Sequence, residues 1–460
     1  MNQIYPSSAL KTHLYAFLLA AAGFFFGVTF AMFNTFFGVI NGKFGNITPA
    51  NADTVSRYLN LYCIAGCVVS CLVGSALYQS LGRFRSLLAV LLLEVVSTGL
   101  VLFNSVQLLY LLRFLHGFAA CYWLVLTPMM LRENLPPAFT NTYNPVFSTV
   151  LCSGMLVAYL FGLPALAPYW RYVLLWPLYV EVPRLLMLYF LFPMESPQWL
   201  AGQTCSAEEL AVNYRVLYEP SDAQRLADQL LQERNLAMVE KDDLVREVTA
   251  PANRKQIVLC LWMNIVSPLT FNSLLNLEST AIFRGLQPPD MVVKGFFDKP
   301  ENMTIFTGFW NVLSCVSLIG LLPLLGKRRA FILGMVGLVA AYSFFIYGML
   351  LRSKVLLMTG SNLFATSFTY SLGGVLFPYC VEIVAAPVLS GCAFLQWVFT
   401  FFIVQYGQML IQKFAAYRVF AFSQLICLVS TVVFIGMSVE TDRKSPEQIR
   451  ADFQRKRFLD

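Results

Sequence analysis

Apolar runs long enough to cross a hydrocarbon core recur along nearly the whole chain, and this pattern constrains the fold more than any motif. About 20 helical residues cross such a core. In lipid the backbone must satisfy its own hydrogen bonds, so each run is expected to be a helix. The runs fall near 14–40, 58–78, 86–103, 106–131, 146–166 and 171–192, then near 256–283, 304–325, 330–350, 355–381, 388–412 and 417–438. That makes about twelve spans, divided evenly by a polar stretch at 201–255. Composition agrees, with 58% hydrophobic and 12% charged residues, about half the charge of a soluble domain.

The expected fold is an all-α membrane protein of two six-helix bundles. A cytoplasmic N-terminus (1–13) leads into the first bundle (14–192). A cytoplasmic helical linker (193–255), a second bundle (256–438) and a cytoplasmic tail (439–460) follow. The first apolar run is too long for a signal-peptide core and has no small-residue cleavage site, so it reads as a span. In the linker, Ser206 with Glu209 and Ser221 with Gln224 have capping-box spacing.

Orientation follows from the basic residues. Arg83, Arg85, Lys327, Arg328, Arg329, Arg443, Lys444, Arg450, Arg455, Lys456 and Arg457 all fall on one side of the expected topology, which the positive-inside rule makes cytoplasmic. Both termini and the linker share that side. The net charge of +7 is therefore an orientation signal, and no nucleic-acid partner is expected. Asn46 and Asn302 each open a glycosylation sequon on the opposite side. The 11 cysteines lie mostly within spans, and Cys63, Cys67 and Cys71 form a helical stripe, so neither a disulfide framework nor a metal site is expected. No cofactor is expected.

The two halves echo one another. "LGRFRSL" (81–87) follows the second span and "LGKRRAF" (325–331) follows the eighth. Parallel repetition of six spans is the layout of major facilitator transporters.

At this point the chain resembles the sugar porter, or hexose transporter, family of that superfamily. "FPMESPQWL" (192–200) is similar to the family's close of span six, matching at Glu195, Ser196, Pro197, Trp199 and Leu200, with Met194 inserted and Gln198 in place of Arg. "PMMLRENLPP" (128–137), "VAYLFGL" (157–163) and "SVETDRKSPEQI" (438–449) resemble further family stretches in the same order. Pro197 is expected to break the sixth helix and Trp199 to rest at the interface. The family's inner salt-bridge network is thinned: Gln79, Ser80, Pro323, Leu324 and Thr140 stand where it has charged residues. Arg83, Arg85, Glu133, Glu195 and Glu440 remain as its candidate members.

Carriers of this type hold substrate near mid-membrane, between the halves. Polar side chains in span seven are therefore candidate ligands: Ser267, Thr270, Asn272, Ser273 and Asn276. Pro268 should break that helix and free backbone groups beside them. Helix-to-helix bonding is the competing reading for any one of these residues. The resemblance adds Ser148, Asn311, Phe377 and Trp397, with Ser267, Pro268 and Ser273 in place of the family's longer amides. A hexose is the implied substrate and the bilayer the implied partner.

Proton-driven members of the family carry an Asp late in span one, facing an Arg in span four. Here Asn34 or Phe36 takes that position, although Arg113 is present, which favours facilitated diffusion. Glu94, His116 and Glu278 are intramembrane ionisable residues and hence coupling candidates. Glu94 has a second reading, as a structural partner of Arg113 or His116. An enzyme is disfavoured, since there is no catalytic motif and the chain has two histidines. A proton symporter, a carrier of a non-sugar solute and a non-transporting nutrient sensor stay open. The plasma membrane is the family's default location.

Overall fold

The computed structural model describes residues 8–45, 47–48, 50–203, 205–239, 253–285, 295–384, 386–442, 444 and 446–456, among which no strand occurs. The N-terminal bundle comprises α1 (Ala9–Thr35), α2 (Ala52–Ser80), α3 (Arg83–Phe103), α4 (Val106–Asn134), α5 (Pro137–Leu160) and α6 (Trp176–Leu191). The linker helices are α7 (Pro197–Gly202), α8 (Ala207–Tyr214) and α9 (Pro220–Val239). The C-terminal bundle begins with span seven, split into α10 (Arg254–Leu269) and α11 (Asn272–Gly285). Then come α12 (Pro300–Leu325) and α13 (Lys327–Leu350), followed by span ten, split into α14 (Lys354–Phe368) and α15 (Leu376–Ile383). Spans eleven and twelve are α16 (Ala386–Phe414) and α17 (Ala416–Met437), and α18 (Pro446–Arg455) closes the described chain.

Among the described residues, 9 helices are long and apolar enough to cross a membrane unaided. The other passes are irregular. α5 contains Pro145, α6 follows a separate short helix at Trp170–Leu174, and a π-helical turn at Thr369–Gly373 divides span ten. Such breaks are tolerated where neighbouring helices take up the freed backbone groups. The twelve-span expectation holds.

Packing repeats between the halves. In the first bundle α1 lies on α5, α2 on α4 and α3 on α6; in the second α10 lies on α16, α12 on α14 and α13 on α17. Small residues set the close approaches: a Cβ on Gly27 would fall on the Leu151 carbonyl, and one on Gly117 on the backbone of Cys63. The bundles meet where α5 faces α12, α2 faces α16 and α1 faces α11. Leu277, Trp397 and Val404 of the second half are packed into the first half's core.

The linker helices dock on the N-terminal bundle, burying Leu210, Ala211, Leu217, Ala223 and Ala227. The Ser206 to Glu209 capping box is formed, at 3.0 and 3.2 Å. The one expected at Ser221 is not. Pro220 takes the first helical position, which its fixed φ favours, so Gln224 lies inside the helix and bonds Asp228 at 3.3 Å. Span six likewise ends at Leu191, ahead of Pro193, and Pro197 opens α7 instead of breaking a helix.

Candidate functional site

Span seven is built to be interrupted. Pro268 removes a backbone donor, α10 ends at Leu269, and Phe271 takes a left-handed φ of 56° before α11 resumes. The carbonyls this frees turn into the C-terminal bundle. Tyr342 donates to Thr270 O at 2.7 Å, and Ser423 donates to Leu269 O at 3.0 Å. Thr270 is fully buried and its hydroxyl donates to Ser267 O at 2.6 Å. Helix packing therefore uses Thr270 and the break, contrary to the expectation that both face the solute.

The outer part of span seven faces the other bundle. Asn34 Nδ2 donates to Asn276 O at 2.8 Å and to Ser279 Oγ at 2.9 Å, while Thr280 N donates to Asn34 Oδ1 at 3.2 Å. Tyr159 of α5 donates to the same Asn276 carbonyl at 3.1 Å. Asn60 of α2 reaches Glu278 Oε1 at 3.4 Å, at the residue where α11 leaves helical geometry. Within α11, Asn276 Nδ2 bonds Asn272 Oδ1 at 3.3 Å, with both residues half-buried, as is Ser273.

Below this clasp, Trp397 on α16 meets Phe26 and Phe30 on α1 at ring separations of 6.2 and 6.3 Å. Gln396, its neighbour, donates to Ser267 Oγ at 3.4 Å. Ser148 lies one turn from Cys152 on α5, and Asn311 one turn from Cys315 on α12; the two sulfurs are 3.3 Å apart across the interface. Phe377 stands half-buried on α15, in the inner part of span ten. Sequence reasoning missed Gln396, Tyr159, Phe26 and Phe30. An amide inside an apolar span was a usable signal for Gln396; nothing separated Phe26 and Phe30 from the chain's 40 phenylalanines.

The inner ends of the two bundles match. Gly82 (φ 93°) and Gly326 (φ 76°) cap α3 and α13 in conformations that favour glycine. Glu195 Oε1 accepts from the backbone N–H of Arg83 and Phe84 at 2.6 and 2.8 Å, the natural place for a carboxylate at a helix start. Glu440 Oε1 likewise accepts from Arg328 N at 3.4 Å. The Arg83 side chain goes to Glu133, at 3.3 and 3.4 Å, and Ser196 Oγ also donates to Glu133. Asn213 of the linker holds both the N–H and the carbonyl of Glu195, and Trp199 Nε1 donates to Gln79 O at 2.7 Å. Arg85 is exposed and stands outside this cluster. The ion pair of Lys327 with Glu382 was not anticipated.

These features describe a two-bundle carrier scaffold with a hydrogen-bonded seam, and comparison with known proteins is specific. A sequence model described as sugar (and other) transporter matches residues 15–453. The chain belongs to that family. It is 24% identical to the facilitated glucose transporter member 2 of solute carrier family 2 from Sus scrofa, over 89% of this chain and 80% of that protein. It is 25% identical to hexose transporter 1 of Toxoplasma gondii, over 94% and 82% of the two chains. In three dimensions it resembles the proton:xylose symporter XylE bound to 6-bromo-6-deoxy-D-glucose, with a TM-score of 0.77 at 15% identity, covering 97% of this chain and 99% of that one. The inward open form of XylE from E. coli gives 0.72 at 17% identity, covering 96% and 99%. The major facilitator fold and an integral membrane location are established.

Within this sugar transporter family member, the surroundings of Arg113 correct the alignment of span one. Arg113 is 2% exposed; its guanidinium donates to Thr29 O, and to Leu59 O at 3.2 Å, and lies 5.0 Å over the Phe33 ring. The Thr29 carbonyl and the Phe33 ring thus face the arginine, while Asn34 is engaged at the bundle seam. Glu94 pairs with neither Arg113 nor His116: its carboxylate accepts from Trp123 Nε1. His116 Nε2 lies 3.3 Å from Thr98 Oγ1 instead. Asn302 sits in the first turn of α12 with the sequon's Thr304 buried against Ser279 and Thr280, and Asn46 lies outside the described residues.

Proposed function

We propose that the protein is a facilitative carrier moving a hexose or similar small polar solute by alternating access. The observation that carries this reading is the Asn34 clasp. A few neutral hydrogen bonds, each worth about 0.5–1.5 kcal/mol, join the bundles on the outer side of a seam lined by Trp397, Phe26, Phe30, Gln396 and Ser267. Contacts of that size open and reform on a transport cycle. An aromatic wall with a few amides and hydroxyls suits the alternating polar edges and apolar faces of a sugar ring. The glucose and hexose transporters among the relatives support the same class of cargo.

Uniport is favoured by the surroundings of Arg113. The main-chain carbonyl of Thr29 and the ring of Phe33 face it, and among the described residues no carboxylate bonds it to take up and release a proton with the solute. The plasma membrane, with both termini cytoplasmic, is the proposed setting, resting on the distribution of basic residues. A proton-coupled symporter or a carrier of another organic solute is the alternative; a non-transporting sensor is the lesser one.

The test is uptake of radiolabelled glucose by proteoliposomes with and without an inward proton gradient. Equilibrating uptake that ignores the gradient is expected. Accumulation above equilibrium would overturn uniport, and absence of uptake alongside transport of another solute from a panel would overturn the hexose.

A further inference from the structure

The N-terminal bundle buries a second charged cluster, apart from the surroundings of Arg113. Glu94 on α3, Glu181 and Arg184 on α6, and Trp123 on α4 are 0, 0, 2 and 1% exposed. Arg184 Nη1 lies 3.0 Å from Glu181 Oε2, and the guanidinium carbon sits 4.5 Å over the Trp123 ring. Trp123 Nε1 donates to Glu94 Oε1, so the indole holds Glu94 by its edge and Arg184 by its face. Glu94 is within electrostatic reach of both Glu181 and Arg184.

We infer that Glu94, Glu181 and Arg184 form a site that holds one proton inside the N-terminal bundle. The charge count requires it. Two carboxylates against one guanidinium would leave a net negative charge at membrane depth, where burying one uncompensated ion costs several kcal/mol. Two carboxyl groups sharing a low-dielectric site do not both ionise. The polar atoms point the same way. Glu94 Oε2, both Glu181 oxygens and Arg184 Nε and Nη1 have no well-formed hydrogen bond among the described residues. Ionised carboxylates only accept; one proton turns one of those oxygens into a donor.

Neither of the other basic groups near the site bonds its carboxylates among the described residues. Arg113 is bonded instead to the main-chain carbonyls of Thr29 and Leu59. Thr98 gives its hydroxyl proton to the Glu94 carbonyl at 2.7 Å, so His116 Nε2 donates to Thr98 Oγ1, 3.3 Å away, and not to a carboxylate of the cluster. α3 and α6 pack on each other and on helices of their own bundle, so the proton stays with the bundle while the seam opens and closes.

The test is infrared spectroscopy of the purified protein at neutral pH, in water and in deuterium oxide, combined with thermal unfolding. A carbonyl band of a protonated carboxyl is expected in the natural protein. Either Glu94→Gln or Glu181→Gln should remove it, because the remaining acid then pairs with Arg184 as an ion. For the same reason each single variant should melt close to the parent, while the double variant, which strands Arg184, should be far less stable than the sum of the two predicts. Absence of the band in the unaltered protein, or its survival in both single variants, would overturn the site. So would a double variant that melts like the singles, or singles that melt as low as the double.

Discussion

The amide of Asn34 and the main-chain carbonyl of Asn276, 2.8 Å apart, join the first span to the seventh across the seam between the bundles. The same side chain also holds Ser279 and Thr280, so one residue of α1 closes the outer half of α11.

Asn34→Ala should therefore favour opening to the outside. Loss of these bonds removes about 2 kcal/mol from the closed form, roughly a thirtyfold shift in the balance between states. Labelling of a cysteine introduced at Ser273 by a membrane-impermeant thiol reagent reads the change. Equal labelling rates in the parent and the Ala variant would show that the clasp does not govern closure.

The two inner glycines differ in a measurable way. A Cβ at Gly82 would collide with the Glu195 carboxylate, whereas one at Gly326 would lie 3.0 Å from Glu440 Oε2. Both positions also carry a left-handed backbone strain of about 1–2 kcal/mol for alanine. Gly82→Ala should lower the melting temperature more than Gly326→Ala, because it also displaces the cap of α3. The reverse order, read by tryptophan fluorescence during heating, would contradict this account of the loop.

Glu195 separates charge from hydrogen bonding. Glu195→Gln keeps an oxygen for Arg83 N and Phe84 N but loses the favourable interaction with the helix start, about 0.3–1 kcal/mol. Glu195→Ala loses the acceptor as well, about 1–2 kcal/mol more. Stability should fall in the order Glu, Gln, Ala in thermal unfolding, and equal values for Gln and Ala would mean that the cap contributes nothing.

Trp397 tests the proposed binding surface. Trp397→Ala removes the wall facing Phe26 and Phe30 and should raise the KM for a transported hexose about tenfold, equivalent to about 1.4 kcal/mol. Trp397→Phe should lie between the two. An unchanged KM in the Ala variant would place the solute elsewhere.

Cys152 and Cys315 report whether the seam must move. Their sulfurs are 3.3 Å apart on opposite bundles. Copper-phenanthroline oxidation should link them and arrest uptake, with recovery on reduction. Cys152→Ser should remove the sensitivity, and uptake that continues in fully linked protein would rule out relative motion of α5 and α12.

How much was legible in the sequence depends on whether the physics is local. Transfer of each apolar run into lipid is decided by its own residues, which is why the spans, the bundle count and the family could be read directly. The positive φ at Gly82 and Gly326 is a local requirement too, and the repeated "LG" with following arginines exposed it. The Ser206 cap was readable for the same reason.

Partners across the fold were not legible, because an almost wholly apolar helix has no face marked for its neighbour. Which side of α1 meets α11 is settled by the packing of Gly23 and Gly27 against α5, and that rotation sends Asn34 to the seam and Thr29 to Arg113. Glu94, seen as a partner for Arg113 or His116, instead meets Trp123 near a guanidinium brought by α6 from far along the chain. The sequence set where the helices that cross the membrane lie. Tertiary packing alone chose which charges and amides meet inside it, since at that depth each buried polar group is held to whatever partner the neighbouring helices bring within reach.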